Sequence, residues 1–149
     1  DVMRQARKWK QAYGIEALYV DYIQRIRGTD SSLPKYQQVG EVVRGLKDIA
    51  RELEIPVISL AQVSRKVDER PNKQPHMGDL SDSSEIEKEA DLVMTLYRDE
   101  VYNKDTEHKG LMDVSVEKNR HGPTDRVRVV WMSEILKVAD CATAYREAV

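Results

Sequence analysis

Cysteine is almost missing from this 149-residue chain; Cys141 is the only one. That excludes an intrachain disulfide framework and fits a reducing compartment. Glycine is sparse too, seven in all. None belongs to a Gly-x-x-x-x-Gly-Lys-Ser/Thr run, the loop whose backbone N–H groups cradle phosphates. These residues by themselves therefore lack the part that grips the β- and γ-phosphates of a nucleotide. His76, His108 and His121 are scattered, and no spacing resembles a zinc site. Neither Gly-x-Ser-x-Gly nor His-Glu-x-x-His occurs. No apolar stretch approaches the ~18–20 residues of a membrane span. The opening Asp-Val-Met-Arg-Gln-Ala-Arg-Lys has no apolar core of a signal peptide. A cytoplasmic protein without a membrane partner is expected. Its first residue is Asp and not Met, so it is not expected to open at the true start of its gene product. Charge of one sign is also absent in excess: the formal net charge is −2, so any nucleic-acid contact must be local.

Hydrophobic residues make up 40% and charged residues 34%, which predicts a folded, soluble domain and not a disordered one. One domain spanning 1–149, large enough for a real core, is the expectation. Val2, Ala6, Trp9 and Tyr13 share one helical face, and Gly14 is a natural C-cap. Ala17–Ile23 is an apolar run of the kind buried on both faces of a sheet. Pro34 suits the first turn of a helix. Tyr36, Val39, Val43, Leu46, Ala50 and Leu53 then form a long apolar stripe, widened by Val42 and Ile49, up to the Ile55-Pro56 break. Val57–Ala61 reads as a second buried strand. Helix, strand, helix, strand at this spacing argues for parallel strands with helical crossovers. The polar stretch Ser64 to Asp82 is too long for an ordinary connection, so it is functional or disordered. Ser84-Glu85-Ile86-Glu87 predicts a short capped helix to Ala90, followed by a strand over Asp91–Arg98. Leu111–Glu117 and Asp125–Val129 alternate with period two around a Gly-Pro turn, which predicts a hairpin. Ile135–Val138 is a candidate strand, and the tail Cys141–Val149 is weakly helical.

Three places carry chemistry. Asp21 ends the first apolar strand, where open α/β sheets bind ligands, and such an acid can hold Mg²⁺. It can equally begin a loop. Gln62 would emerge at the same sheet edge, as an amide that senses a phosphate or orients a water, or as a plain hydrogen-bonder. Lys118 and Arg120, two apart on an extended strand, would share a face and can clamp a phosphoryl group. Ordinary exposed charge is the alternative.

Taken in order, these residues resemble one family. Leu18-Tyr19-Val20-Asp21-Tyr22-Ile23-Gln24 is similar to the Walker B strand of DnaB-type replicative DNA helicases. Glu41–Lys47 and Ile55–Gln62 resemble the helix and strand that come after it. Asp79-Leu80, Ile86-Glu87, Ala90-Asp91-Leu92 and Tyr97–Tyr102 resemble the next segment. Lys118-Asn119-Arg120-His121-Gly122-Pro123 resembles the late Lys-x-Arg-x-Gly-Pro motif. The ordered match runs from about residue 4 to residue 140.

The resemblance implies an α/β, RecA-like parallel sheet with flanking helices and a C-terminal β-hairpin. It implies a hexameric ring that binds ATP and Mg²⁺ between subunits and threads single-stranded DNA, with a primase and a helicase loader as further partners. It would make Asp21 the Walker B acid at Mg²⁺ and Gln62 the coupler between nucleotide and DNA loops. Lys118 and Arg120 would reach in trans to the γ-phosphate. Arg65, Lys66, Lys73, Ser81, Asp82 and Ser84 would lie on the DNA-facing loop. The family usually has Arg and Gly where Ser81 and Ser84 stand, which shifts backbone contact toward Arg65, Lys66 or Lys73. The Walker A strand and the catalytic Glu that comes after it have no counterpart here. The chain is thus expected to be a C-terminal fragment of the motor that does not hydrolyse ATP alone. In the RecA-like order the Walker A strand lies between Val57–Ala61 and Asp91–Tyr97. Those two are expected to pair directly, or to have the slot filled by another chain. A related RecA-like ATPase (recombinase or clock-type) and a non-catalytic α/β binding module remain alternatives.

Overall fold

The longest apolar stripe in the sequence becomes the longest helix. In the computed structural model, which describes residues 2–80 and 84–141, α1 spans Val2–Tyr13 and β1 spans Leu18–Val20. Helix α2 runs Lys35–Leu53 and β2 Val57–Ser59. Helix α3 covers Ser84–Glu89 and β3 Leu92–Tyr97. Strands β4 (Leu111–Asn119), β5 (Arg126–Met132) and β6 (Lys137–Asp140) complete the chain. Contacts divide it into two units: residues 1–64 with 78–90, and residues 65–77 with 91–149.

The first unit is built on α2. Val39, Val42, Val43, Leu46 and Ile49 are all buried, as the 3–4 spacing predicts. The helix ends where Glu54 takes a left-handed conformation (φ 51°) just before the Ile55-Pro56 break. β1 and β2 pair in parallel, Leu18 opposite Val57 and Val20 opposite Ser59. Arg7 of α1 grips Glu52 of α2 with two hydrogen bonds of 2.7 Å. Arg44 of α2 donates to Glu85 of α3 at 2.7 Å. On α1, only Ala6 of the apolar stripe is buried, and Tyr13 is 78% exposed.

The second unit is an antiparallel meander in the order β3-β4-β5-β6. Register fixes its two faces. Leu96, Val114 and Val127 lie opposite one another on one face; Tyr97, Asp113 and Arg128 lie opposite one another on the other. The polar row sits partly under residues 65–77, where Val67 is buried and Pro75 accepts a hydrogen bond from Thr95 Oγ1 at 3.3 Å.

Several expectations change. The first strand stops at Val20, and Ile23–Arg25 forms a 3₁₀ turn. Neither β1 nor β2 is buried on both faces: Tyr19 is 75% exposed, and Ile58 is exposed as well. The core of this unit comes from α2, and one helix covers one face of a two-stranded sheet. Direct pairing of β2 with β3 does not occur; each is an edge strand of its own sheet. β2 lies in the first unit and pairs there with β1, and β3 lies in the second and pairs there with the nine-residue β4. Of the stretch expected to be functional or disordered, residues 64–80 are described, and Arg65–Glu69 and Met77–Asp79 there form 3₁₀ turns. The expected hairpin is present with β4 reaching Asn119, and Lys137–Asp140 supplies the candidate last strand. The expected helical tail beyond Cys141 lies outside the described residues.

Candidate functional site

Parallel pairing puts the C-terminal ends of β1 and β2 side by side, and both candidate residues of the first unit lie just past those ends. Asp21 comes directly after β1 and is exposed. Its position comes from an irregularity in the ladder. Leu60 N–H donates to Val20 O at 2.9 Å, and the next bond to Leu60 O comes from Ile23 N–H at 3.0 Å. In a regular parallel ladder that donor would be residue 22. One extra residue is therefore inserted, and such a bulge re-aims a side chain. Asp21 and Tyr22 fill the extra span, joined by a cis peptide bond, while Ile23 is buried and anchors the turn that it opens.

Gln62 is exposed, three residues past β2. Its N–H donates to the side-chain oxygen of Gln24 at 3.2 Å. The backbone carbonyl of Gln24 accepts from Lys35 Nζ, at the start of α2, at 3.0 Å. Gln24 was not among the sequence candidates. Its signal was an amide directly after the buried Ile23, but the partner lies 38 residues away, beyond local pattern reading.

In the second unit, Lys118 pairs opposite Val93 on β4. Arg120 continues the pairing, its N–H donating to Asp91 O at 2.9 Å. Its guanidinium lies 3.7 Å from Asp91 Oδ1, with both side chains nearly half exposed. Asn119 closes the turn: its side chain accepts from His121 N–H at 3.1 Å and donates to Pro123 O at 3.2 Å. Such an Asx turn holds its two flanking cations on a fixed hairpin end. Asp21 and Gln62 are thus brought together in one unit, and Lys118 and Arg120 in the other.

The DNA-loop candidates separate. Arg65 and Lys66 are exposed on their 3₁₀ turn. Lys73 is tied up internally: its ammonium donates to Asp68 O at 2.6 Å and Arg70 O at 3.0 Å, and lies 5.9 Å from the Tyr102 ring centre. Ser84 is exposed at the start of α3. Ser81 and Asp82 lie outside the described residues. The base of the excursion is pinned in the first unit, where Ser64 N–H donates to Asp79 O at 2.7 Å and Val63 bridges Leu80.

Electrostatics is distinctive on the polar face of the second unit. A cavity of about 160 Å³ there is lined by Tyr97, Asp99, His108, Asp113 and Arg128, among others. Tyr97 donates to Asp99 at 2.7 Å. Burial, and then that bond, pushes the Tyr97 phenol up to about 12. Hydrogen bonds from Thr106 and then Tyr97 hold the Asp99 carboxyl below its usual range. Arg128 engages both Asp113 oxygens, at 2.7 and 3.2 Å. These groups satisfy one another, which is the pattern of a structural network.

No group of three or more His, Cys, Asp or Glu among the described residues is arranged to hold a metal. Asp21 is an exposed carboxylate, and one carboxylate could hold Mg²⁺ only together with waters and substrate phosphates. No helix among the described residues is long and apolar enough to cross a membrane.

The family model of the DnaB-like helicase C terminal domain matches residues 1–140. The replicative DNA helicase DnaB of Geobacillus stearothermophilus is 41% identical over 149 residues, covering 99% of this chain and 33% of that protein. The replicative DNA helicase DnaC of Bacillus subtilis is 39% identical over the same length, again 99% and 33%. A solved DnaB-like replicative helicase, described with its interactions with primase, superposes with a TM-score of 0.89 at 31% identity. That match covers 95% of this chain and 34% of the other. The chain therefore spans about a third of the length of the curated relatives it matches. It has the α/β, RecA-like fold that the sequence implied, in partial form.

Proposed function

The chain belongs to the DnaB-like helicase C-terminal domain family, and from that premise we propose that it forms part of the ATP-driven motor of a hexameric replicative DNA helicase. The observation that carries the reading is the shared edge of β1 and β2, where a bulge presents Asp21 beside the segment that carries Gln62. In the intact motor, Asp21 is the carboxylate that holds Mg²⁺, directly or through water. The ion, when bound, neutralises charge on the β- and γ-phosphates. Gln62 orients water or reads the γ-phosphate, and passes its state along the chain toward Ser64. Lys118 and Arg120, on a hairpin end stiffened by Asn119, reach the γ-phosphate of ATP on a neighbouring subunit. Charge built up there in the transition state is met by cations already in place, so little reorganisation is needed. Arg65 and Lys66 contact the phosphate backbone of single-stranded DNA. Lys73 instead holds its own loop together, and Ser84 contributes little charge. Primase and a loader are partners of the intact assembly.

These 149 residues contain no Gly-x-x-x-x-Gly-Lys-Ser/Thr, so the purified chain is expected to show no Mg²⁺-dependent ATP turnover. In a full-length helicase carrying this sequence, Asp21→Asn and Arg120→Ala should each lower DNA-stimulated kcat, by roughly 10³-fold for the arginine. Mixed hexamers of the two variants should regain part of the activity, because some interfaces then combine an intact Asp21 with an intact Arg120. Arg120→Glu with undiminished DNA-stimulated ATPase would return the chain to the reading of a non-catalytic binding module.

A further inference from the structure

We propose that Gln24 is a positioning residue that sets the orientation of Gln62 relative to Asp21. The inference rests on the reading of Asp21 and Gln62 as the nucleotide-facing pair and adds the part that couples them. An anchored neighbour and two hydrogen bonds fix Gln24. The preceding Ile23 is buried, and its N–H closes the ladder onto Leu60 O at 3.0 Å. The Gln24 carbonyl is held by Lys35 Nζ at 3.0 Å. Its side-chain oxygen accepts the Gln62 N–H at 3.2 Å.

The orientation of this carboxamide is dictated by its chemistry. A backbone N–H can only donate, so the oxygen must face Gln62, and the NH₂ end points the other way. That end, Nε2, is buried and has no hydrogen-bond partner among the described residues. The oxygen stays on Gln62 even though the opposite end finds no acceptor. β2 has ended at Ser59, and the parallel ladder offers no further backbone acceptor to Gln62 N–H. Gln24 replaces the missing rung with a side chain. It belongs to the same turn that comes after Asp21, so a shift of the Asp21 bulge moves the acceptor that holds Gln62. Nucleotide state at one strand end is thereby felt at the other through one hydrogen bond.

The test uses the full-length helicase with Gln24→Met, which keeps the length of the side chain but offers only a weak thioether acceptor, and Gln24→Glu, which keeps the acceptor oxygen. Hydrogen exchange at the Gln62 amide should speed up about three- to tenfold in Gln24→Met and stay near wild type in Gln24→Glu, the size expected for one solvent-accessible hydrogen bond. DNA-stimulated kcat should fall by a similar factor in Gln24→Met, with KM for ATP unchanged within about twofold. A merely structural role would not produce that split. Unchanged exchange at Gln62 in Gln24→Met, or unchanged kcat despite faster exchange, overturns the inference. Gln62→Ala and Asp21→Asn measured alongside separate the two readings. If both keep full ATPase activity, the site assignment fails, whatever the exchange data show.

Discussion

Ile49 is the best place to ask whether α2 really carries the core of the first unit. It is 1% exposed, and with Val39 it is the largest fully buried side chain among the described residues. Ile49→Ala removes three carbons, worth about 2.4 kcal/mol at ~0.8 per carbon. A residual cavity adds to this, and the better helix propensity of Ala returns roughly 0.4 kcal/mol. A net loss of about 2–4 kcal/mol is expected, a large share of the ~5–15 kcal/mol that stabilises a typical domain. Ile49→Val should cost only about 1 kcal/mol. Two tryptophans allow the loss to be located. Trp9 lies on α1 in the first unit and Trp131 on β5 in the second. Urea unfolding monitored by fluorescence, in Trp131→Phe and Trp9→Phe backgrounds, reads each unit separately. The Trp9 transition should move to lower urea by more than the Trp131 transition. A change below about 1 kcal/mol in the Trp9 channel for Ile49→Ala would refute the burial argument, because a site that collapses without cost is not a packed core.

Two further outcomes concern the polar face of the second unit. Asp113→Ala strands the partly buried Arg128 guanidinium and should cost roughly 2–3 kcal/mol by chemical denaturation, whereas Asp113→Leu with Arg128→Met should recover most of it, since a part-buried ion pair is replaceable by apolar packing; equal loss in the single and double variants would contradict this. Tyr97 has its folded pKa raised from 10.0 to about 12, so the folded state holds the phenol proton more tightly than the unfolded state. Its stabilising contribution is complete below about pH 10 and is lost as pH rises through about 12. Tyrosinate absorbance should show a late-titrating tyrosine that Tyr97→Phe removes; loss of an ordinary tyrosine near pH 10 instead would count against the burial and Asp99 contact that cause the shift.

The sequence by itself determined the features that depend on neighbours in the chain. The 3–4 spacing from Val39 to Ile49 dictated α2, Ile55-Pro56 ended it, and period-two alternation dictated β4 and β5. Asp21 at a strand end was legible for the same reason, and the ordered motifs up to Pro123 gave the family. Only the tertiary structure decided the features that depend on pairing across distance. It divided the strands into a parallel pair and an antiparallel meander. It left one face of β1 and β2 exposed where the apolar runs had implied burial on both. It inserted the extra residue that turns Asp21 outward and gave Lys73 to its own loop carbonyls. It also joined Gln24 to Gln62 across 38 residues. Side-chain periodicity encodes which face of an element is apolar, but not which backbone will lie beside it. A single hydrogen bond between two glutamines exists only once the chain has brought both strand ends to one edge.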